Sequence, residues 1–423
     1  MRVFLSSSLA RISQKHSTKT VCVPDRQVKL EERRSAMGDI PFSEAAGSSS
    51  LDDVLENLAE LFAKRAPRYD RSGNISTENL RDLQDAGLLS LALPKSAGGQ
   101  NISLQTIVQI VSRLAQGDPS TALILAMQYL QSGSFAHSCL WSDTVKQEVF
   151  ESIQQEGALI NALRVEPDLG TPARGGLPAT TVRRQGNTWR LNGRKIFSTG
   201  STALHWGIVW TRTDETEPRV GPVLVPLDLR GVRIEKSWHQ LGMRATGSHT
   251  IIFDDVEVPE RYLGLLTTPA TSENNPLAIA SWHAVVVAAL YDGIAQAARD
   301  WLVTFLHQRA PANLGAPLAT LPRFQILIGE IDALLLSNTA LIEHAIRLTE
   351  LGGESEAAAG LAKQVITENA IAAVDKAVAA IGNPGLSQNN PLERHYRDVL
   401  CGRVHTPQAD SAFLAAGRKT LGV

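Results

Sequence analysis

Only three cysteines, Cys22, Cys139 and Cys401, occur in 423 residues, and no CxxC or Cys/His pair has metal-ligand spacing. That excludes a disulfide framework, gives no reason to expect a bound metal, and makes a reducing compartment the default. Aromatics make up 5% of the chain, no basic stripe interleaves with them, and the net charge is −2. Neither nucleic acid nor an anionic membrane is therefore an expected partner. No apolar run approaches the roughly 20 residues that span a bilayer, so a soluble protein with a small-molecule substrate is expected. What is present suits an enzyme. With 43% hydrophobic and 20% charged residues, the chain can bury a substantial core divided among two or three domains.

Met1 to Thr20 holds Arg2, Arg11, Lys15, Lys19, several serines and no acid, the composition of a mitochondrial transit peptide. Met37 is an alternative start. The expected location is cytoplasmic, with the mitochondrial matrix as the alternative if residues 1–36 are a transit peptide. Residues 1–50, polar and Ser-rich, are set apart as a disordered or targeting tail.

The hydrophobic pattern divides the rest into three. Over 51–158 it is helical: Leu51, Val54, Leu55, Leu58 and Leu61 share one face after Ser50 and Asp53, Thr77 to Gly87 is amphipathic, and Thr121 to Leu130 is apolar enough for a buried helix. Over 159–270 the period shortens. Thr181 to Arg184 and Thr188 to Leu191 flank Gln185-Gly186-Asn187, a hairpin signal, and Trp206 to Trp210, Val220 to Val225, Val232 to Lys236 and His249 to Val258 are further strand candidates. Over 271–423 helical stripes return, including Val286, Leu290, Ile294 and Trp301, and the Ala-rich run Ala357 to Ile381.

Spread along this order are segments that resemble the acyl-CoA dehydrogenase superfamily. They are Asp85-Ala86-Gly87-Leu88-Leu89 with Leu93-Pro94 and Gly98-Gly99; Val165-Glu166-Pro167 with Gly170-Thr171; Asn192-Gly193-Arg194-Lys195-Ile196-Phe197-Ser198-Thr199-Gly200; and Leu241-Gly242-Met243-Arg244 with Phe253-Asp254-Asp255-Val256-Glu257-Val258-Pro259. The resemblance implies an α+β fold: an N-terminal helical domain, a middle β-barrel or sandwich domain and a C-terminal four-helix bundle. It also implies a flavin, FMN or FAD. Phe197 falls where that family has a ring-packing tryptophan, Thr199 lies near flavin N5, and Val165 and Thr171 belong to the flavin-contacting segment. Taken alone, Phe197 and Thr199 read more readily as ordinary alternating strand residues, and the flanking matches reverse that. Arg309 and the Gly382-Asn383-Pro384-Gly385 turn correspond to elements that reach the flavin of a neighbouring subunit, implying a homotetramer or a dimer. Ala379, where relatives carry a diphosphate-binding glutamine, and the altered Arg309 to Gln325 loop leave FMN and FAD both open.

Removal of a proton alpha to a thioester needs a carboxylate within hydrogen-bond reach. Counting on from Arg397-Asp398, the family's glutamate falls on Thr406, and the alternative position reads Ser281-Trp282-His283-Ala284. Neither place has an acid. The pattern instead resembles the branch that includes dibenzothiophene monooxygenase, where a separate flavin reductase supplies reduced flavin that forms a C4a-hydroperoxide with oxygen. That implies His405 as proton donor, because an imidazole titrates near working pH, with Asn161, Ser198 and His283 as further polar groups and Trp238, Trp282 and Thr406 lining the substrate pocket. The expected activity is a monooxygenase acting on a small apolar or organosulfur molecule. An acyl-CoA dehydrogenase with a displaced base and a catalytically silent flavin-binding scaffold are the alternatives.

Overall fold

The computed structural model describes residues 50–169, 176–269, 279–351 and 355–422; Thr171 and all but the last residue of the segment set apart as a disordered or targeting tail lie outside them. Helix α1 (Leu51–Ser72) opens with a capping box, Ser50 and Asp53 satisfying each other's backbone N–H, and ends where Gly73 turns left-handed at φ 67°. Helices α2 (Thr77–Asp85), α3 (Leu104–Gly117), α4 (Pro119–His137) and α5 (Asp143–Glu156) follow. The expected buried helix is α4, apolar on nearly every side. Its start is fixed by Asp118, whose carboxylate accepts from Ser120 N (3.1 Å) and Thr121 Oγ1 (2.6 Å).

The middle of the chain is one curled sheet of seven strands: β1 (Leu159–Leu163), β2 (Thr181–Gln185), β3 (Thr188–Lys195), β4 (Leu204–Thr213), β5 (Val220–Pro226), β6 (Val232–Glu235) and β7 (Thr250–Pro259). The spatial order is β1-β4-β2-β3-β7-β6, with β5 on β4. The β2–β3 hairpin turns through Gly186 at φ 62°, as its Gly/Asn connection requires. β1 pairs parallel to β4, opposing Asn161 to Gly207.

Helices α6 (Ala280–Gln308), α7 (Pro322–Leu351) and α8 (Ser355–Ile381) form the long members of the C-terminal bundle, closed by α9 (Leu392–Leu400) and α10 (Ala409–Leu421) on α8. Two cores result. One joins α1, α3 and α4 to the bundle, and the other lies between the sheet and α5. The loop after β6 is tied to α9 where Met243 N donates to Asp398 Oδ1 (2.6 Å) and Arg397 Nη1 donates to the Leu241 carbonyl (3.0 Å).

The expectation of no span-length apolar run needs correction at α7. That helix is long and apolar enough to cross a membrane, and little of its apolar stretch is buried. A bundle helix passes that test too, and α7 carries Glu330, Asp332, Glu343 and Arg347. Its outward apolar side chains, Ile326 and Leu336, remain exposed.

Candidate functional site

The site is built on the turn between β3 and β4. Ile196 N donates to the Val165 carbonyl (2.9 Å), Ser198 N to the His249 carbonyl (3.3 Å) and Thr199 N to the Phe197 carbonyl (3.0 Å). These bonds hold Phe197 at φ 56°, a conformation side chains with a Cβ seldom adopt. The strain leaves an aromatic ring 56% exposed where an ordinary strand residue would be tucked in or turned away. Trp238 meets it edge-on, centroids 6.1 Å apart. Trp238 is fixed by its Nε1 donating to the Met243 carbonyl (3.0 Å) and by its backbone N donating to His249 Nδ1 (3.1 Å). Burial holds His249 below its ordinary value, so the ring stays a neutral acceptor.

Asn161 Nδ2 donates to the Thr199 carbonyl (3.0 Å), and the Thr199 hydroxyl bonds to Ser248 Oγ (3.0 Å). Strand β1 therefore holds the turn from one side and the loop before β7 from the other. Ser198 departs from expectation. It is 2% exposed, and its Oγ donates back to the Lys195 carbonyl (3.4 Å), so its hydroxyl serves the turn and not a pocket.

A second group of residues converges where α6 begins and α9 ends. His405 Nδ1 lies 2.7 Å from Tyr291 Oη. Burial pushes the Tyr291 hydroxyl well above its ordinary pKa, and no other acceptor for it occurs among the described residues. Its proton therefore goes to Nδ1, which leaves His405 Nε2 carrying the ring proton. The loop bearing His405 is clamped by Lys363, whose Nζ donates to the carbonyls of Gly402 (2.7 Å), His405 (2.8 Å) and Pro407 (3.1 Å). His283, on the first turn of α6, lies against the backbone of Thr406. Thr406 itself is exposed, and Trp282 packs partly into the helical core.

The titration of these groups differs from expectation. Burial, reinforced by His283 and Lys363, pushes His405 down to about 3. Burial likewise brings His283 down to about 4, although the Thr406 backbone pulls the other way. Both rings keep part of their surface open, yet enough protein surrounds them that charging is costly. His405 is thus a neutral N–H donor at working pH and not a group titrating there. Because its folded pKa lies below the unfolded value of about 6.5, the unfolded chain takes up a proton first as the pH falls. Stability from this ring is full above about pH 6.5 and is lost as the pH drops toward about 3. Between pH 7 and pH 5 the native protein should lose about 2 kcal/mol more than His405→Gln, measured by urea unfolding; parallel losses would show that the ring is charged in the fold.

Arg309 and the Gly382–Gly385 turn are not part of this assembly. Arg309 caps the far end of α6, about 39 Å along the axis from His283 by helical rise. Gly382 starts its turn at φ 66° with open space beside it. One small molecule cannot contact both His283 and Arg309 of the same chain.

Domain models described as acyl-CoA dehydrogenase N-terminal, middle and C-terminal domains match residues 49–139, 164–256 and 285–408. YdbM of Bacillus subtilis (strain 168), named as an acyl-CoA dehydrogenase, is 34% identical over 370 residues, 86% of this chain and 94% of YdbM. The chain belongs to the acyl-CoA dehydrogenase family. Among solved structures, butyryl-CoA dehydrogenase from Megasphaera elsdenii matches with a TM-score of 0.77 at 22% identity, covering 89% of this chain and all of its own. TdsC from Paenibacillus sp. A11-2 also matches at 0.77 and 22%, covering 88% of this chain and 96% of its own.

Membership in the acyl-CoA dehydrogenase family makes this chain a flavin-dependent oxidoreductase. The residues present fit an isoalloxazine. A strained, exposed Phe197 offers a ring face on the turn that also carries Thr199. Sequence reading missed Tyr291, Ser248, His249 and Lys363, which orient or clamp the expected residues. None carries a local motif. Tyr291 directly follows Leu290 of the Val286 and Leu290 stripe, and only its packing against His405 gives it a role.

Proposed function

We propose that this acyl-CoA dehydrogenase family member is a reduced-flavin-dependent monooxygenase acting on a small, largely apolar organic or organosulfur substrate. A separate reductase supplies its flavin, FMN or FAD. One observation carries the reading. The charges that act on His283 are those of Lys363 and Arg164, and those that act on His405 are of His283 and Lys363, with no acid among them, and Thr406 falls at the base position by count along the sequence. A dehydrogenase needs a group to strip a carbon-bound proton, whereas oxygen transfer needs a proton donor in a water-poor pocket. The TdsC structure is described as a complex with FMN and indole, which supports the same reading for a shared fold.

In this reading Phe197 presents a face to the flavin rings, Asn161 positions the Thr199 carbonyl, and the Tyr291 hydroxyl orients His405 so that Nε2–H donates toward the reacting oxygen. Bound reduced flavin would supply the activation of dioxygen. The exposed apolar side chains of α7 and α10, including Leu336 and Phe413, support assembly into a homotetramer or dimer that brings a partner's Arg309 and Gly382 turn to each flavin; a single-subunit mass in sedimentation would count against it.

A second reading is favoured by the likeness to YdbM, which is named as an acyl-CoA dehydrogenase. It is an acyl-CoA dehydrogenase with a displaced base. Two experiments separate the readings. Protein given photoreduced FMN and ¹⁸O₂ with indole or dibenzothiophene should yield a product containing ¹⁸O. Protein loaded with oxidised flavin and mixed anaerobically with butyryl-CoA should not bleach; bleaching without oxygenated product decides for the dehydrogenase.

A further inference from the structure

Arg164 directly follows strand β1, three residues after Asn161. It is half-buried, and its guanidinium lies 5.8 Å from the ring centroid of Trp210 on the neighbouring strand β4. Its charge also acts on both His283 and Lys195. No carboxylate pairs with it among the described residues. Glu166, two residues on, is already saturated by Lys195 Nζ (2.6 Å), Ala179 N (2.6 Å) and Thr180 N (3.0 Å). Lys363, the other cation acting on His283, has its ammonium capped by three carbonyls. Arg164 is thus left with a planar fork of donors and no anion. A guanidinium withdrawn from water in this way is costly unless a ligand completes it, and the ligand its geometry suits is a planar oxyanion bound through two parallel hydrogen bonds.

We propose that Arg164 is the anion-recognition residue of the pocket and that the substrate is a small organic acid. Its carboxylate sits on the guanidinium beside Trp210, and its apolar body extends toward His283 and His405. The proposal rests on the flavin-site reading for where the substrate reacts, but not for whether the anion binds.

Calorimetric titration of the purified full chain with benzoate and with its neutral isostere benzamide tests it, with and without FMN. Benzoate should bind at least ten-fold tighter than benzamide. Arg164→Leu should lose at least ten-fold in benzoate affinity and leave benzamide and FMN affinity unchanged, and Arg164→Lys should recover part of the loss, since a lysine keeps the charge without the fork. Equal affinity for the two probes in the native protein overturns the proposal. So does a loss of FMN affinity in Arg164→Leu that Arg164→Lys restores, which would assign the guanidinium to the flavin. Benzoate binding through Arg164 in a protein that takes up no flavin would sustain the anion site and defeat the flavin reading alone. Thermal melts of both variants identify any loss that comes from misfolding.

Discussion

Replacing His405 with Ala should lower the rate of oxygenated product formation by about 10²-fold or more, the scale of a lost positioned proton donor. Flavin affinity should change little, because His405 is held by Tyr291 and the Lys363-clamped loop and not by the Phe197 turn. Tyr291→Phe provides the graded comparison. It removes the hydroxyl that points the imidazole but keeps the ring packed 5.6 Å from it, so its loss should be smaller and of the same kind. Product yield per reduced FMN consumed, with peroxide release measured in parallel, is the readout. If His405→Ala keeps native yield, the donor lies elsewhere and the oxygenase reading loses its central residue. The dehydrogenase reading predicts that the same variant loses acyl-CoA-driven bleaching instead, so the two outcomes are distinct.

Glu166→Ala should be among the most destabilising single changes in the chain, by about 3–5 kcal/mol in equilibrium urea unfolding. Lys195 and Glu166 are 0% and 2% exposed at the side chain and meet at 2.6 Å. Burial alone would raise the Glu166 carboxyl, but the hydrogen bonds from Lys195, Thr180 and Ala179 outweigh it and keep the group ionised. Burial lowers Lys195 to about 8 despite its partner, so it remains charged at neutral pH. Deleting the carboxylate would leave a buried ammonium and two backbone N–H groups unsatisfied at once. Glu166→Gln retains acceptors for some of these donors and should cost less. A measured loss under about 1 kcal/mol for Glu166→Ala would mean that water reaches the pair. The consequence extends to the site: Glu166 follows Val165, whose carbonyl fixes Ile196 next to Phe197, so the alanine variant should also bind flavin more weakly.

The three-part order of helices, sheet and helices was readable in the chain because hydrophobic period reports which face is buried, and that is a local property. The hairpin at Gly186 and the cap at Ser50 were readable for the same reason, each set by residues within a few positions of one another. Strand β1 was not. Leu159 to Leu163 pairs parallel with a strand more than 40 residues away, and a run of five residues carries too few alternations to announce it. The state of the site was equally hidden. His405 read as a group titrating near neutrality because an isolated imidazole does so; its neutrality at working pH comes from burial, reinforced by the charges of His283 and Lys363 on two different helices.

The sequence by itself determined the absence of an acid at position 406, the family-like segments around Phe197 and Met243, and the helical and strand periods, since each depends only on neighbours along the chain. Tertiary structure alone decided that Ser198 turns inward, that Arg309 stands at the opposite end of α6 from His283, and that Arg164 is left without a counter-ion. Burial and charge pairing are properties of what folding brings together, and these residues meet their surroundings only across long stretches of chain.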